Sequence, residues 1–271
     1  MTITRAIIPV AGWGTRRLPI TKAVEKCMLP IGNRPLVDYV VQDCLAAGIT
    51  EIYFVVSEDS DQLQKYYTEN SQLNEYLQGN GKQNMLPLVA PLAGVTLHFI
   101  IQPSGNYGTA IPVALAAEQI PAGESVAVLM GDDFIYHPDG VSETARLIAT
   151  AGDGSAMLGV EVPRQEVHRY GVIEKDMNNN FIQIIEKPTP ESSPSNLINV
   201  SKYVLNARAL GCIREYVRAE RAGEYYIIDP INTYVANGGA MTVLAAAGQY
   251  LDGGSVESWL HANNVVIASS K

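Results

Sequence analysis

The chain has 271 residues, of which 47% are hydrophobic and 17% are charged, a composition typical of a globular protein that buries a large core. Its 19 Lys and Arg residues against 28 Asp and Glu residues give a formal charge of −9, which argues against a nucleic-acid partner because such binding needs broad neutralisation of phosphates. No secretory signal is recognisable and no run approaches the ~20 apolar residues of a membrane span, so we expect a cytoplasmic protein without a membrane partner.

The first predicted element is a short buried strand that ends in a glycine turn and is followed by cations. Residues 6–11 are apolar, and Gly12 and Gly14 come next. The cations after the turn are Arg16, Arg17, Lys22 and Lys26. Because glycine lacks a Cβ, the backbone can approach a ligand closely, and bare N–H groups followed by cations suit a polyphosphate.

The spacing of this turn excludes the two commonest phosphate-binding motifs. The turn has no third glycine where a dinucleotide fingerprint needs one, and no Gly-Lys-Ser/Thr ending of a P-loop. A nicotinamide dehydrogenase is therefore a poor alternative.

Strands and helices alternate through the rest of the first half. The patterns predict a helix over 35–47, a strand over 52–56, a polar helical flank or lid over 61–83, a strand over 97–101, a helix over 110–119 and a strand over 126–130. Such alternation requires crossover connections, so we expect a mostly parallel sheet covered on both faces.

The second half is more antiparallel in character. Residues 170–175 and 181–186 flank three asparagines at 178–180, a good hairpin signal because Asn tolerates a positive φ. The Pro- and Ser-rich stretch 188–194 is too short for a domain linker. We therefore predict one domain over residues 1–271.

Two adjacent carboxylates mark the end of the last strand of the first half. Asp132 and Asp133 follow an apolar run, and ligands of open α/β sheets bind at the carboxyl ends of the strands. One or two carboxylates with substrate phosphate oxygens suit a divalent ion. An acidic turn that only ends the strand is the alternative.

The order of Gly, Thr, Arg, Pro and Lys over residues 12–30 resembles the signature of the sugar-1-phosphate nucleotidylyltransferases. The Thr21-Lys22-Ala23 triplet before Lys26 is most similar to the bacterial members that act on UTP and glucose 1-phosphate. The resemblance implies a Rossmann-like α/β nucleotidyltransferase fold, with a mostly parallel central sheet flanked by helices and an added antiparallel hairpin region. It implies an enzyme that makes UDP-glucose and pyrophosphate.

The resemblance also implies roles for individual residues. The implied catalytic residues are Arg16, Lys26 and Lys187. The implied nucleotide-binding residues are Ala11, Gly12, Gly14, Thr15, Gln102, Gly108 and Asp132. The implied sugar-binding residues are Gly171, Glu186, Lys187 and Asn196. The implied Mg²⁺ ligands are Asp132 and Asp252.

Three departures from the family pattern leave alternatives open. Cys27 stands where the uridylyltransferases have a Glu, Glu25 replaces a Pro, and Asn106-Tyr107 replaces Gly-Leu in the loop expected to read the base. The amide of Gln102 matches an edge that uracil and thymine share. A thymidylyltransferase, another hexose-1-phosphate nucleotidylyltransferase and a non-catalytic regulatory homologue that binds nucleotide sugar remain as alternatives. Because relatives often form dimers or tetramers, we expect a homodimer or a homotetramer.

Overall fold

The computed structural model describes residues 3–219 and 221–269. The strands are β1 Arg5–Pro9, β2 Pro30–Ile31, β3 Arg34–Pro35, β4 Glu51–Ser57, β5 Thr96–Gln102, β6 Val126–Leu129, β7 Asp133–Tyr136, β8 Ser155–Glu161, β9 Gly171–Lys175, β10 Phe181–Glu186, β11 Leu197–Leu205, β12 Met241–Ala245 and β13 Gln249–Asp252. The helices are α1 Leu36–Ala46, α2 Gln62–Tyr67, α3 Ser71–Gly79, α4 Ala110–Ala117, α5 Glu143–Ala151, α6 Ala207–Arg218, α7 Ile228–Ala236 and α8 Val256–Ser269. Short 3₁₀ helices cover Thr15–Arg17, Ile20–Lys22, Lys26–Met28, Gln83–Leu88 and Arg164–Arg169.

The main sheet has nine strands within the described residues, with the row β10–β9–β11–β6–β1–β4–β5 and with β8 joining β11 to β12. Its centre is parallel, because β1 pairs in parallel with β4 and β6, and β4 pairs in parallel with β5. β11 runs antiparallel to β6, β8 and β9. The predicted mostly parallel sheet with an antiparallel region is therefore confirmed.

Helices cover both faces of the sheet, as the strand–helix alternation predicts. Successive residues of β1 point to opposite faces: Ile8 belongs to the cluster that includes Leu36 of α1, and Ile7 belongs to the cluster that includes Val113 of α4. All four side chains are fully buried. This double covering explains why the central strands are continuously apolar.

The predicted elements of the first half form with small shifts. The helix expected to reach residue 119 ends at Ala117, because the Gln119 amide turns back to the Ala116 carbonyl at 2.9 Å. The polar segment over 61–83 forms the two short helices α2 and α3. It is a flank of the sheet, since Tyr67 is buried with its ring stacked 5.7 Å from that of Phe54.

The predicted hairpin is confirmed as the antiparallel pair β9–β10, with Asn179 in the turn at a φ of 63°. A bulge in β11 was not predicted. The register of β11 against β8 shifts between Asn199 and Tyr203, and Ser201 within it has a φ of 51°. Bulges re-aim neighbouring side chains, and this one directly precedes Lys202.

No helix within residues 3–219 and 221–269 has the length and apolar content needed to cross a bilayer.

Candidate functional site

A cavity of about 780 Å³ opens at the carboxyl ends of β1, β5 and β6. This is the edge where parallel sheets bind ligands. The sequence-predicted residues that line it are Ala11, Gly12, Gly14, Thr15, Arg16, Lys26, Gln102, Gly108 and Asp132. The predicted nucleotide-binding set and two of the three predicted catalytic residues therefore meet in one place.

The glycine turn forms one wall of the cavity, and the absence of a side chain has a different effect at each of its two glycines. A Cβ on Gly12 would meet no atom within 4 Å, so this residue leaves open space beside the backbone. Gly14 has a φ of 62° and would bring a Cβ within 3.0 Å of the Lys26 Cβ. Gly14 thus permits both the left-handed turn and the close approach of the cation-bearing loop.

The cations after the turn divide between two directions. Arg16 and Lys26 line the cavity. Arg17 is buried towards α8, where its guanidinium carbon lies 5.5 Å from the centre of the Trp259 ring. Only part of the basic run therefore serves the cavity.

Lys26 forms an ion pair with Asp132 inside the cavity wall. Burial acts to raise the pKa of the Asp132 carboxyl, but the cations around it, Lys26 first and then Lys202 and Arg16, more than offset this effect and leave the pKa below its usual value. Asp132 is therefore ionised at neutral pH and paired with Lys26.

The neighbouring Asp133 belongs to a buried network that the sequence did not reveal. Its side chain pairs with the Lys202 ammonium, which also donates to the Asp133 carbonyl at 3.1 Å. The Tyr250 hydroxyl donates to Asp133 Oδ2 at 3.2 Å. Burial raises the pKa of Asp133 to about 6, although Lys202 opposes the shift. Lys202 thus neutralises the second of two adjacent aspartates from inside the fold.

The antiparallel pair of β7 and β13 brings Asp252 next to the two adjacent aspartates. In its antiparallel register Asp252 lies opposite Asp133, and the Gly253 amide donates to the Asp132 carbonyl at 3.2 Å. Asp252 Oδ1 accepts hydrogen bonds from the Gly254 amide at 2.6 Å and the Ser258 hydroxyl at 2.8 Å, which orients the carboxylate. The structure therefore brings the backbones of the two predicted metal ligands, Asp132 and Asp252, close together.

The chemistry of this donor set fits a hard divalent cation. Mg²⁺ usually takes one or two carboxylates and completes its shell with water and substrate phosphate oxygens. Asp132 lines the cavity, and Asp252 follows in the strand that pairs with the one beginning at Asp133. In the part of the chain that the structure describes, no group of three or more His, Cys, Asp or Glu side chains could hold a metal ion, so an ion held here would complete its shell with water or substrate oxygens.

The predicted sugar residues lie on the β9–β10 hairpin. Glu186 is opposite Gly171 in the register, and a Cβ on Gly171 would come within 2.8 Å of Glu186 Oε1. Glycine at 171 therefore leaves room for the carboxylate. Lys187 follows with a φ of 47°, and its amide donates to the Tyr170 carbonyl at 2.9 Å. A left-handed residue that is not glycine is rare and recurs at functional sites.

Asn196 is held by the end of β8. Its side-chain amide donates to the Val162 carbonyl at 3.2 Å, and its own carbonyl accepts from the Val162 amide at 3.0 Å. These contacts hold the start of β11 against the end of β8.

The loop expected to read the base is pinned at Gly108. This residue has a φ of 125°, and a Cβ there would lie 2.4 Å from the Tyr225 backbone. The Tyr225 amide donates to the Tyr107 carbonyl at 2.9 Å, so the loop pairs with a segment distant in sequence. Gln102, the last residue of β5, lines the cavity beside this loop.

The two departures near Lys26 have different structural consequences. Cys27 is 3% exposed at the cavity wall, and burial raises the pKa of its thiol, so it is a neutral thiol where a carboxylate was expected. Glu25 accepts from the Ser60 hydroxyl at 2.7 Å and from the Gln62 amide at 2.9 Å. It ties the cation-bearing loop to the start of α2.

Comparison with known proteins places this geometry in context. A family model described as Nucleotidyl transferase matches residues 5–269. The UTP--glucose-1-phosphate uridylyltransferase 2 of Streptococcus pyogenes is 33% identical over 242 residues, covering 85% of this chain and 79% of that protein. The solved structure of a UTP-bound UGPase from Acinetobacter baumannii superposes with a TM-score of 0.87 at 25% identity, covering 97% of this chain and 93% of that one. A UDP-glucose pyrophosphorylase complexed with UDP-glucose superposes with a TM-score of 0.81 at 26% identity, covering 98% and 99%.

The buried Lys202–Asp133 pair generates a prediction about stability. Lys202→Met leaves the Asp133 carboxylate buried without its cation and beside two other carboxylates, so we expect the free energy of unfolding to fall by about 3–5 kcal/mol. Urea unfolding followed by circular dichroism measures the change. The control is Arg218→Met, which removes an exposed pair with Glu118 and should cost about 0–1 kcal/mol. Similar small losses in both variants would contradict the role assigned to Lys202.

Proposed function

Because the chain belongs to the nucleotidyl transferase family, we propose that it transfers the uridylyl group of UTP to glucose 1-phosphate, giving UDP-glucose and pyrophosphate. The observation that carries the proposal is the cavity that joins a glycine turn, two cations and a strand-end carboxylate. The relatives and structural neighbours named for this reaction, which align over most of the chain, support it.

The chemistry needs positioning and charge neutralisation more than covalent help. A phosphate oxygen of glucose 1-phosphate attacks the α-phosphorus of UTP in line, and the bond from that phosphorus to the pyrophosphate oxygen breaks. The Gly12–Thr15 backbone and Arg16 bind the triphosphate, Lys26 neutralises charge near the α-phosphate, and Lys187 holds the incoming phosphate. Because that phosphate is already ionised at neutral pH, no general base is required.

Asp132 and Asp252 would hold the Mg²⁺ ion in this proposal. Bound there, the ion would screen the negative charge that the two substrates bring together. Asp132 is kept ionised by its neighbouring cations, and Asp252 is oriented by Gly254 and Ser258, which supports both assignments.

The sugar subsite is assigned to the β9–β10 hairpin. Glu186 accepts hydroxyl hydrogen bonds of the hexose across Gly171, and Asn196 contributes through the position of the adjacent strand β11.

We further propose that residues 1–271 act as one domain, since a single sheet combines strands from both halves of the chain. A cytoplasmic location agrees with the buried, unbridged thiols of Cys27 and Cys44.

The proposed function and its base preference can be tested in one assay. Pyrophosphate release is measured with UTP, dTTP, CTP and ATP against several hexose 1-phosphates. We expect UTP with glucose 1-phosphate to be fastest and dTTP to be used measurably, because Gln102 reads the edge that both bases share and a methyl group is worth only ~1–3 kcal/mol. No release with any pair would refute the proposed reaction in favour of a regulatory homologue. Faster formation of ADP-glucose would refute the pyrimidine assignment alone.

Lys26 and Lys187 are expected to act on different substrates. Lys187→Met should raise the KM for glucose 1-phosphate about ten- to a hundred-fold, and Lys26→Met should lower kcat and weaken the use of UTP, since a lost charge-assisted hydrogen bond is worth about 1.5–3 kcal/mol. Steady-state kinetics with each substrate varied in turn separates the effects. Lys65→Met, on the exposed surface of α2, is the control. Equal effects of both variants on both substrates would contradict the division.

The metal assignment has a readout that is independent of turnover. Asp132→Asn and Asp252→Asn should each weaken the binding of Mn²⁺ in the presence of UTP by at least about tenfold, because each removes one of two anionic ligands. Titration of the Mn²⁺ electron paramagnetic resonance signal measures this, with the exposed Asp153→Asn as control. Unchanged Mn²⁺ affinity in either variant would remove that residue from the metal site.

A further inference from the structure

The first turn of α8 holds the Asp252 carboxylate in one orientation. Asp252 Oδ1 accepts from the Gly254 amide at 2.6 Å and from the Ser258 hydroxyl at 2.8 Å. A Cβ on Gly254 would come within 2.8 Å of the same oxygen, so glycine at this position lets the carboxylate fold back over the turn. Both hydrogen bonds that the described residues make to this carboxylate fall on Oδ1, which leaves Oδ2 for another partner.

Ser258 has a single hydroxyl proton, and its neighbours determine where that proton points. The Ser255 amide donates to the Ser258 hydroxyl at 3.0 Å, and the Ser258 amide donates to the Ser255 hydroxyl at 3.0 Å. Two acceptors compete for the Ser258 proton, the Ser255 carbonyl at 3.3 Å and Asp252 Oδ1 at 2.8 Å. The carboxylate is nearer and is charged, and charge-assisted hydrogen bonds are the stronger ones. Ser258 therefore donates to Asp252.

Trp259, the next residue, fixes α8 to the loop that carries Lys26. Its indole Nε1 donates to the Pro30 carbonyl at 2.8 Å. One helical turn later, the Asn263 side chain donates to the Pro30 carbonyl at 3.3 Å and accepts from the Gly32 amide at 2.9 Å. Pro30 follows shortly after the 3₁₀ helix that begins at Lys26. The start of α8 is therefore fixed relative to Lys26.

The same indole ring packs on the segment that carries the other cavity cation. The Arg17 guanidinium carbon lies 5.5 Å from the centre of the Trp259 ring. Arg17 is buried and directly follows Arg16, which lines the cavity. A cation over an indole face is attracted by the ring quadrupole, so this contact stabilises the packing of α8 on the glycine-turn segment. Trp259 thus contacts both segments that supply cations to the cavity.

We propose that Ser258 and Trp259 are positioning residues that hold Asp252 Oδ2 at a set place relative to Arg16 and Lys26. Trp259 fixes α8 to the two cation-bearing segments, and the Ser258 hydroxyl fixes the carboxylate to α8. This inference rests on the proposed function, in which Asp252 helps to hold a Mg²⁺ ion. Hydrogen-bond partners of a ligating carboxylate typically contribute about 10–100-fold to metal affinity.

The role of the Ser258 hydroxyl is tested by Mn²⁺ binding in the presence of UTP, followed by electron paramagnetic resonance. Ser258→Ala should weaken Mn²⁺ binding about tenfold, and Ser258→Thr, which keeps a hydroxyl, should bind Mn²⁺ within about threefold of the wild type. The matched control is Ser269→Ala at the other end of α8, which removes only a hydrogen bond to the Val265 carbonyl of the same helix. Circular dichroism melting without metal and nucleotide establishes that each variant is folded.

Trp259→Phe tests the attachment of α8 separately. Phenylalanine keeps a ring beside Arg17 but lacks the Nε1 donor to Pro30. We expect this change to weaken Mn²⁺ binding about three- to tenfold in the wild type and by less than about twofold in Ser258→Ala, since residues that act through one another lose additivity. The double-mutant cycle on Mn²⁺ affinity measures that coupling.

The outcomes separate this inference from the proposed function. Wild-type Mn²⁺ affinity in Ser258→Ala, or an equal loss in Ser258→Thr, overturns the role of the hydroxyl while pyrophosphate release by the wild type upholds the reaction. Additive losses from Ser258→Ala and Trp259→Phe overturn the link through α8. Unchanged Mn²⁺ affinity in Asp252→Asn overturns the metal assignment and this inference together. A wild type that binds Mn²⁺ with UTP yet releases no pyrophosphate refutes the proposed reaction alone.

Discussion

Two aspartates in succession at the end of a buried strand impose the constraint on which the site depends. Ionised carboxylates at adjacent positions repel each other, and removing both from water is costly unless each has a cation. The fold supplies one cation to each from opposite sides. Lys26 reaches Asp132 from the loop after the glycine turn, and Lys202 reaches Asp133 from the buried strand β11. The pairing of β7 with β13 then places Asp252 opposite Asp133. In the proposed function, a divalent ion would neutralise this additional negative charge.

The parts of the site that could be predicted from sequence are those whose causes are local. The glycine turn, Arg16 and Lys26 lie within a short stretch of sequence, and their spacing is enough to place them together in the cavity wall. The helices and strands of the first half followed from apolar periodicity, with shifts of a few residues at their ends. Lys202 and the segment around Tyr225 could not be found in this way. Lys202 meets Asp133 across 69 positions, and Ile227, in that segment, meets Thr109 across 118. No local pattern encodes such pairings, and the bulge at Ser201 that precedes Lys202 left no turn signal.

Two departures from the family pattern, at Glu25 and Cys27, have structural consequences. Glu25 replaces a residue without an amide hydrogen, and here both its amide and its carboxylate bond to the start of α2. The substitution therefore adds a tie between the cation loop and the flank of the sheet. Cys27 places a neutral thiol on the cavity wall where the family pattern has a carboxylate.

The ion pair between Lys26 and Asp132 affects how the nucleotide and the metal ion would bind to the site. A triphosphate that contacts Lys26 exchanges one anionic partner of that lysine for another, so the gain is only the difference between two ion pairs. A single inorganic phosphate gains little from such an exchange, whereas a chain of three can also engage Arg16 and the glycine amides. Once released from Lys26, Asp132 needs a new counterion, and a divalent cation accompanying the nucleotide can provide it. In the proposed function, this internal ion pair would couple the binding of the nucleotide to that of the metal ion and would disfavour the binding of either one alone.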